Sequence, residues 1–189
     1  MRVISGTARG TKIDSIESMT TRPTLDRVKE ALFSKLQMQI PDAQILDLFA
    51  GSGALGIECL SRGATHCVFC DKSYEASKMI IRNLEKTRMQ EQSTLLTKDY
   101  KKCIELLKQS QFDIIFIDPP YRLDVAVDAI KRIVENQLLT KEGIIILETD
   151  DEKRELQELE KIQDVKMRLE VEDVRKYGRV KLIFLHERG

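Results

Sequence analysis

From residue 44 onward the chain alternates short, uninterrupted apolar runs with longer segments whose apolar residues recur at helical spacing. The runs lie at 44–49, 66–70, 94–97, 112–117 and 143–148. They are mainly apolar, as strands are when helices cover both faces of a sheet. The helical segments lie at 53–62, 73–89, near 100–108, 124–137 and near 152–161. This βαβ rhythm predicts a doubly wound parallel sheet, because parallel neighbours need a crossover long enough to hold a helix. Residues 165–173 and 178–186 break the rhythm and read as two strands joined around Tyr177-Gly178. The expected fold is α/β: a mostly parallel seven-stranded sheet with an antiparallel carboxyl-terminal hairpin at its edge.

The first 40 residues follow a different pattern. Arg2 to Ile4 and Thr11 to Ile13 are short strand candidates on either side of Gly6 and Gly10, predicting a small β-hairpin. Leu25, Val28, Leu32 and Leu36 then recur at helical spacing, with Thr24 placed to cap the helix and Pro23 just ahead of it. The chain therefore divides into an appendage, 1–40, and a larger domain, 41–189. Its 42 % apolar content can fill one core of that size.

The formal net charge is zero but unevenly distributed. Residues 1–40 carry seven Lys/Arg against four Asp/Glu, and residues 72–102 carry eight against four, whereas 148–173 carry five against eleven. A basic face is therefore compatible with a neutral total. No apolar run approaches the roughly 18 residues of a membrane span, and the start of the chain does not read as a secretory leader. The four cysteines read as reduced core thiols, so the expected location is cytoplasmic, without membrane contact, and the default assembly is a monomer. Cys67 and Cys70 have a metal-like spacing but no second pair, so no metal site is expected.

Ligands of open α/β sheets bind at the carboxyl ends of the strands. The first strand here runs into Asp47-Leu48-Phe49-Ala50-Gly51-Ser52-Gly53-Ala54-Leu55-Gly56. The glycines permit a tight turn that a ligand can approach, and the following helix offers its first N–H groups to an anion. Gly51, Gly53 and Gly56 satisfy G-x-G-x-x-G, so a nicotinamide or flavin dinucleotide, and with it an oxidoreductase, is one reading. S-adenosylmethionine is the other. Asp47, four residues before Gly51, suits a cationic aminomethionine end better than a pyrophosphate. Asp71 ends the second strand, where a carboxylate accepts from ribose hydroxyls, and Asp99 follows the third, where an adenine amino group can be read.

The fourth strand ends in Asp118-Pro119-Pro120-Tyr121. Prolines stop a strand and leave carbonyls without ladder partners. An acid, free carbonyls and an aromatic ring together suit a planar ligand carrying an amino group, such as a nucleobase. A conjugated exocyclic amine is a weak nucleophile. Acceptors at Asp118 and the Pro119 carbonyl would draw its nitrogen toward tetrahedral geometry, with Tyr121 stacking on the ring. A base paired in a helix cannot reach such a site, so it must be single-stranded, looped or flipped. Arg2, Arg9, Lys12, Arg22, Arg27 and Lys29 form a candidate phosphate-binding patch.

These motifs resemble a known family. Asp118-Pro119-Pro120-Tyr121 is similar to motif IV of amino-group methyltransferases, and Asp47 to Gly53 to their motif I. Met1 to Gly6, Thr21-Arg22-Pro23-Thr24, Asp26 to Phe33, Leu60-Ser61-Arg62-Gly63-Ala64 and Lys176-Tyr177-Gly178 together resemble the RsmD-type bacterial 16S rRNA guanine-N2 methyltransferases. The resemblance implies the class I methyltransferase fold and S-adenosylmethionine as cofactor. It also implies one guanine of 16S rRNA as target, on a small subunit at least partly assembled. It implies that Asp47, Gly51 and Gly53 hold the methionine half, Asp71 the ribose, and Asp99 with Tyr100 the adenine. Ser52, Lys72 and Phe49 complete the cofactor set, although Phe49 also reads as core. Arg22 to Thr24 would lie near the catalytic pocket. Motif IV alone also fits an adenine-N6 enzyme on RNA or DNA, and a non-catalytic RNA-binding module would retain the fold.

Overall fold

The computed structural model describes residues 1–15, 22–119 and 125–188, with the backbone alone for residues 22–26. Seven strands form one sheet: β1 (Gln44–Asp47), β2 (His66–Asp71), β3 (Ser93–Thr97), β4 (Phe112–Ile117), β5 (Leu139–Thr149), β6 (Leu169–Tyr177) and β7 (Val180–Glu187). Their order is β3-β2-β1-β4-β5-β7-β6. The first five are parallel, and β7 pairs antiparallel with both β5 and β6. The chain starts mid-sheet at β1, winds outward to β3, then returns to β4. The switch between β1 and β4 opens the crevice where ligands of doubly wound sheets bind.

Alternation along the strands makes two cores. Ile45, Cys67, Phe69, Ile114, Phe116, Ile144 and Ile146 face one side, under α1 (Arg22–Lys35), α2 (Ala54–Ser61) and α3 (Tyr74–Thr87). Leu46, Val68, Cys70, Ile115, Ile117, Ile145 and Leu147 face the other, under α4 (Tyr100–Leu106), α5 (Val125–Glu135), α6 (Glu152–Glu160) and α7 (Gln163–Arg168). All four cysteines are free and buried in these cores. Among the described residues no helix is long and apolar enough to cross a membrane.

Helix α2 is buried nearly all round, with Ile57, Cys59 and Leu60 joined by Glu58 and Ser61. A helix with no solvent face must be covered on both sides. The sheet covers one, and the amino-terminal segment covers the other. Glu58 accepts hydrogen bonds from the N–H groups of Ile4 (2.8 Å) and Ser5 (3.0 Å). Ser61 Oγ accepts from Ala8 N at 3.0 Å, and the Ser61 carbonyl accepts from Thr7 N at 2.8 Å. The expected small amino-terminal hairpin is present: Arg2 bridges Lys12 antiparallel, with Val3 N bonded to the Thr11 carbonyl at 3.0 Å and Ile13 N to the Met1 carbonyl at 3.1 Å.

Gly6 makes this docking possible. Its φ is +82°, and a Cβ there would lie 1.6 Å from the Ser61 carbonyl oxygen. Gly6→Ala is expected to release the segment at a cost of about 2–3 kcal/mol. Hydrogen exchange would show it as lost amide protection at Val3, Thr7, Gly10 and Thr11, whose N–H groups are bonded within the segment or to α2. Unchanged protection would contradict the docking.

Other elements depart from expectation for physical reasons. Helix α1 begins at Arg22, two residues before the expected cap Thr24. Pro23 thus sits in its first turn, where a missing N–H costs nothing. Residues 165–168, the first part of the strand expected over 165–173, belong to α7 instead, and β6 begins at Leu169. Ile162, Val165 and Leu169 follow helical spacing into the core, while Met167, which strand alternation would bury with them, is exposed. Strand β5 starts at Leu139, earlier than the expected 143.

Candidate active site

The two-residue periodicity that builds the core beneath α1–α3 continues past the carboxyl ends of the strands, where the residues become acidic. Asp47 follows Ile45 and Asp71 follows Phe69 at that spacing. Asp118 follows Phe116 and Glu148 follows Ile146. Four neighbouring strands thus end in four carboxylates on one face. Phe33 of α1 packs on Phe116, with ring centroids 6.4 Å apart, so this helix covers the β4 side of that face.

Asp47 is 2 % exposed. It accepts from the N–H of Gly56 in the first turn of α2, at 3.2 Å, and forms no ion pair among the described residues. The helix terminus favours its charge. Burial, reinforced by the neighbouring charge of Asp71, outweighs that bond and pushes its carboxyl up to about 7. Asp118 is exposed at the mouth of the crevice. Desolvation by surrounding protein, then the charges of Glu148 and Asp47, hold its carboxyl well above the ordinary range. The two charges alone fix that direction, whatever the degree of exposure. Such a row is unfavourable by itself and favourable around a cation.

Between β1 and α2, Ala50 N bonds the Cys70 carbonyl at 2.9 Å, and Gly51 and Gly53 take positive φ of 54° and 76°. Asp71 fixes this turn by accepting from Gly51 N (2.9 Å) and from Ser73 N (2.8 Å). Each of its oxygens retains a lone pair for a hydroxyl donor. Gly56 has a packing role instead, since a Cβ there would lie 2.4 Å from the Phe69 ring. The third glycine of the fingerprint is thus accounted for by helix–strand contact, without a pyrophosphate.

Asp99 caps α4 through the N–H of Lys101 at 3.0 Å and is exposed. Tyr100 is buried, its ring centroid 5.4 Å from that of Phe49, and its hydroxyl donates to Asp128 at 2.7 Å. Burial and this bond push the Tyr100 phenol up. Phe49 is half-buried against the core beneath α4 and α5, Ser52 lies in the glycine turn, and Lys72 is exposed beside Asp71. A cavity of about 560 Å³ opens between α4 and α5; it touches none of the four carboxylates of the row and shares only Asp99 with the candidate cofactor residues. Its lining of Lys101, Lys108, Arg132 and Glu135 is a set of surface charges, and the chemistry lies in the crevice between β1 and β4 instead. Among the described residues no three carboxylates, imidazoles or thiols converge as metal ligands do.

Pro119 is buried at the end of β4. Pro120 and Tyr121 lie outside the described residues, as does the side chain of Arg22. Arg2, Arg9, Lys12 and Arg27 are exposed. Lys29 is not available to phosphate: it is 6 % exposed and pairs with buried Glu58 at 3.1 Å, which also binds Arg62 at 2.8 Å.

Sequence reasoning missed Asn83. This fully buried side chain donates to the carbonyls of Ser52 and Asp14, both at 2.9 Å, and accepts from Asp14 N at 2.7 Å. It ties the glycine turn to the amino-terminal segment. The available signal was a polar residue on the buried stripe of α3, between Ile80, Leu84 and Thr87.

Sheet order, glycine turn and strand-end acids define a class I methyltransferase, the class whose methyl donor is S-adenosylmethionine. The crevice suits that molecule, since a buried carboxylate without an ion-pair partner lies beside a turn whose backbone is open to a ligand. A family model described as "Conserved hypothetical protein 95" matches residues 1–185. The ribosomal RNA small subunit methyltransferase D of Haemophilus influenzae is 37 % identical over 158 residues, covering 81 % of this chain and 80 % of that one. The chain belongs to this family, that of the ribosomal RNA small subunit methyltransferase D proteins, as its motifs predicted. Among solved structures, the methyltransferase candidate yhhF from Escherichia coli superposes with a TM-score of 0.82 at 28 % identity, covering 100 % of this chain and 98 % of that one. The 16S rRNA N2 G1207 methyltransferase of Thermus thermophilus, in complex with AdoMet and guanosine, shares the fold at a TM-score of 0.72 and 23 % identity, over 92 % of this chain and 45 % of that one.

Proposed function

We propose that this protein transfers a methyl group to the exocyclic N2 amine of a guanine in 16S ribosomal RNA, presented by an assembled or partly assembled small subunit. The observation that carries the reading is the adjacency of β1 and β4, which sets Asp118-Pro119 beside Asp47 and the glycine turn. A relative named as a small-subunit ribosomal RNA methyltransferase supports the polymer.

S-adenosylmethionine, when bound, supplies a methyl group made electrophilic by its sulfonium sulfur. In this reading Asp47 gives the crevice floor the negative charge that holds a cation. Gly51, Ser52 and Gly53 present backbone to the methionine half, and Asp71 with its neighbour Lys72 takes the ribose. Asp99, Tyr100 and Phe49 border the adenine. Asp118 and the Pro119 carbonyl accept the N–H groups of the target amine, which orients its lone pair. The basicity that desolvation and like charges give Asp118 lets its carboxylate take the proton the alkylated nitrogen sheds. Tyr121 is assigned the stack on the base from sequence. Positioning and charge complementarity supply the rate enhancement.

The appendage, residues 1–40, is assigned to RNA contact through Arg2, Arg9, Lys12, Arg22 and Arg27. Phosphate contacts release counterions, and each one lost reduces the salt dependence of binding by about one. Arg9→Glu with Lys12→Glu is therefore expected to lower RNA affinity and reduce the slope of log K against log salt by about two, with cofactor affinity unchanged. An unchanged slope would remove the patch.

The polymer is tested by offering radiolabelled S-adenosylmethionine with naked 16S rRNA, small-subunit particles or DNA. Label should enter particles most efficiently. Preferential labelling of DNA would overturn the proposal, and such an enzyme would work outside the cytoplasmic ribosome assembly assigned to it here.

A further inference from the structure

Strands β4 and β5 run parallel in the register Ile115 to Ile145, Phe116 to Ile146 and Ile117 to Leu147. One residue further along each strand stand Asp118 and Glu148, on strands about 4.8 Å apart. Glu148 follows Ile144 and Ile146 on the face beneath α1, and its partner on β7, Leu182, is buried in the same core. It is half-buried. Two carboxylates so close disfavour each other's charge, and a ligand that donates a hydrogen to each relieves that repulsion. The two are close enough for the charge of Glu148 to help raise the Asp118 carboxyl.

We infer that Glu148 reads the target base, its carboxylate accepting the N1–H of guanine while Asp118 takes the neighbouring amine. The inference rests on the proposed transfer to a guanine amine and explains how guanine is chosen. Guanine offers two kinds of donor side by side on one edge, the N1–H and the N2 amine. Two adjacent carboxylates match that edge. Adenine pairs its amine with an acceptor at N1, which would meet a carboxylate lone pair to lone pair. A site built for a hydrogen bond discriminates strongly against a base that lacks it, because its own buried group is left unpaired.

The test uses 2-aminopurine, which keeps the amine but has an acceptor at N1. It is installed at the guanine that the wild-type enzyme is first mapped to methylate, within otherwise identical small-subunit particles. The wild type should favour guanine by about 100-fold or more in kcat/KM. Glu148→Gln can present either its oxygen or its amide N–H, so its preference should collapse to within about fivefold of one. The loss of the guanine O6 affects both enzymes and cancels in the comparison. Cofactor affinity by calorimetry should stay within about twofold, which also shows that the variant is folded. A Glu148→Gln enzyme that retains the wild-type preference, or loses cofactor affinity in step with activity, would overturn the assignment while leaving guanine methylation standing. A wild type that methylates no guanine overturns both.

Discussion

Replacing Asp118 with alanine is expected to lower kcat/KM for the RNA by about 10³-fold while the dissociation constant of S-adenosylmethionine changes by less than about threefold. The split follows from where the residue stands. Asp118 lies at the mouth of the crevice, past the end of β4, whereas the buried charge and the glycine turn belong to β1. Its removal takes away the acceptor that orients the amine and receives its proton, and leaves Asp47 in place to hold the cation. Asp118→Asn keeps one acceptor oxygen but no basicity. It should fall between the wild type and the alanine variant, and its activity should lose the pH dependence that titration of Asp118 imposes. If cofactor affinity fell in proportion to activity, Asp118 would be part of the cation site and the assignment of roles would be wrong.

The second large effect is expected at Asp47, where stability and function should move in opposite directions. Its carboxyl is raised from 3.8 to about 7 by burial. The folded protein therefore binds more protons at this group than the unfolded chain does between those values, so its contribution to stability falls as pH rises through that window. Above about pH 7 the ligand-free protein holds a buried charge without an ion-pair partner. Asp47→Asn removes the charge, and its amide oxygen can still accept from Gly56. The variant should melt higher than the wild type by roughly 5 °C at pH 8, with little difference near pH 4. Its affinity for S-adenosylmethionine should fall by about 100-fold or more, because a cation no longer meets its counter-charge. Wild-type affinity should strengthen as pH rises through about 7, with proton release on binding. Equal melting at pH 8, or unaltered affinity, would contradict the electrostatic account of the crevice floor.

The parts legible in the sequence are those set by local pattern. Strands β1 to β5 announced themselves as apolar runs, and Asp47, Asp71, Asp99 and Asp118 as acids where those runs stop. What was not legible depends on partners far along the chain. Glu58 meets Ile4 and Ser5 from 54 and 53 residues away, and Asn83 meets Asp14 from 69. Nothing local specifies those distances. Both residues nevertheless stood out as polar groups where a helix is otherwise buried, in α2 and on the inner stripe of α3. The amino-terminal hairpin was legible from the strand propensity of Arg2 to Ile4 and Thr11 to Ile13, but nothing local shows that Glu58 binds the N–H groups of Ile4 and Ser5. Residues 165–168 were misassigned because Val165, Met167 and Leu169 alternate as a strand would, while Ile162, Val165 and Leu169 also fit a helix. Exposure of Met167 shows which pattern prevailed. Glu148 went unremarked because it reads as the end of an apolar run until β4 and β5 are set in register.

The nucleoside that receives the methyl group tests the proposed function most directly. Small-subunit particles lacking the modification are incubated with the protein and isotopically labelled S-adenosylmethionine, the RNA is digested completely, and the labelled nucleoside is identified by mass spectrometry. The account predicts N2-methylguanosine at a single position, absent when Asp118→Ala replaces the wild type. Label in N6-methyladenosine, or no label in RNA from a protein that binds the cofactor, would contradict it.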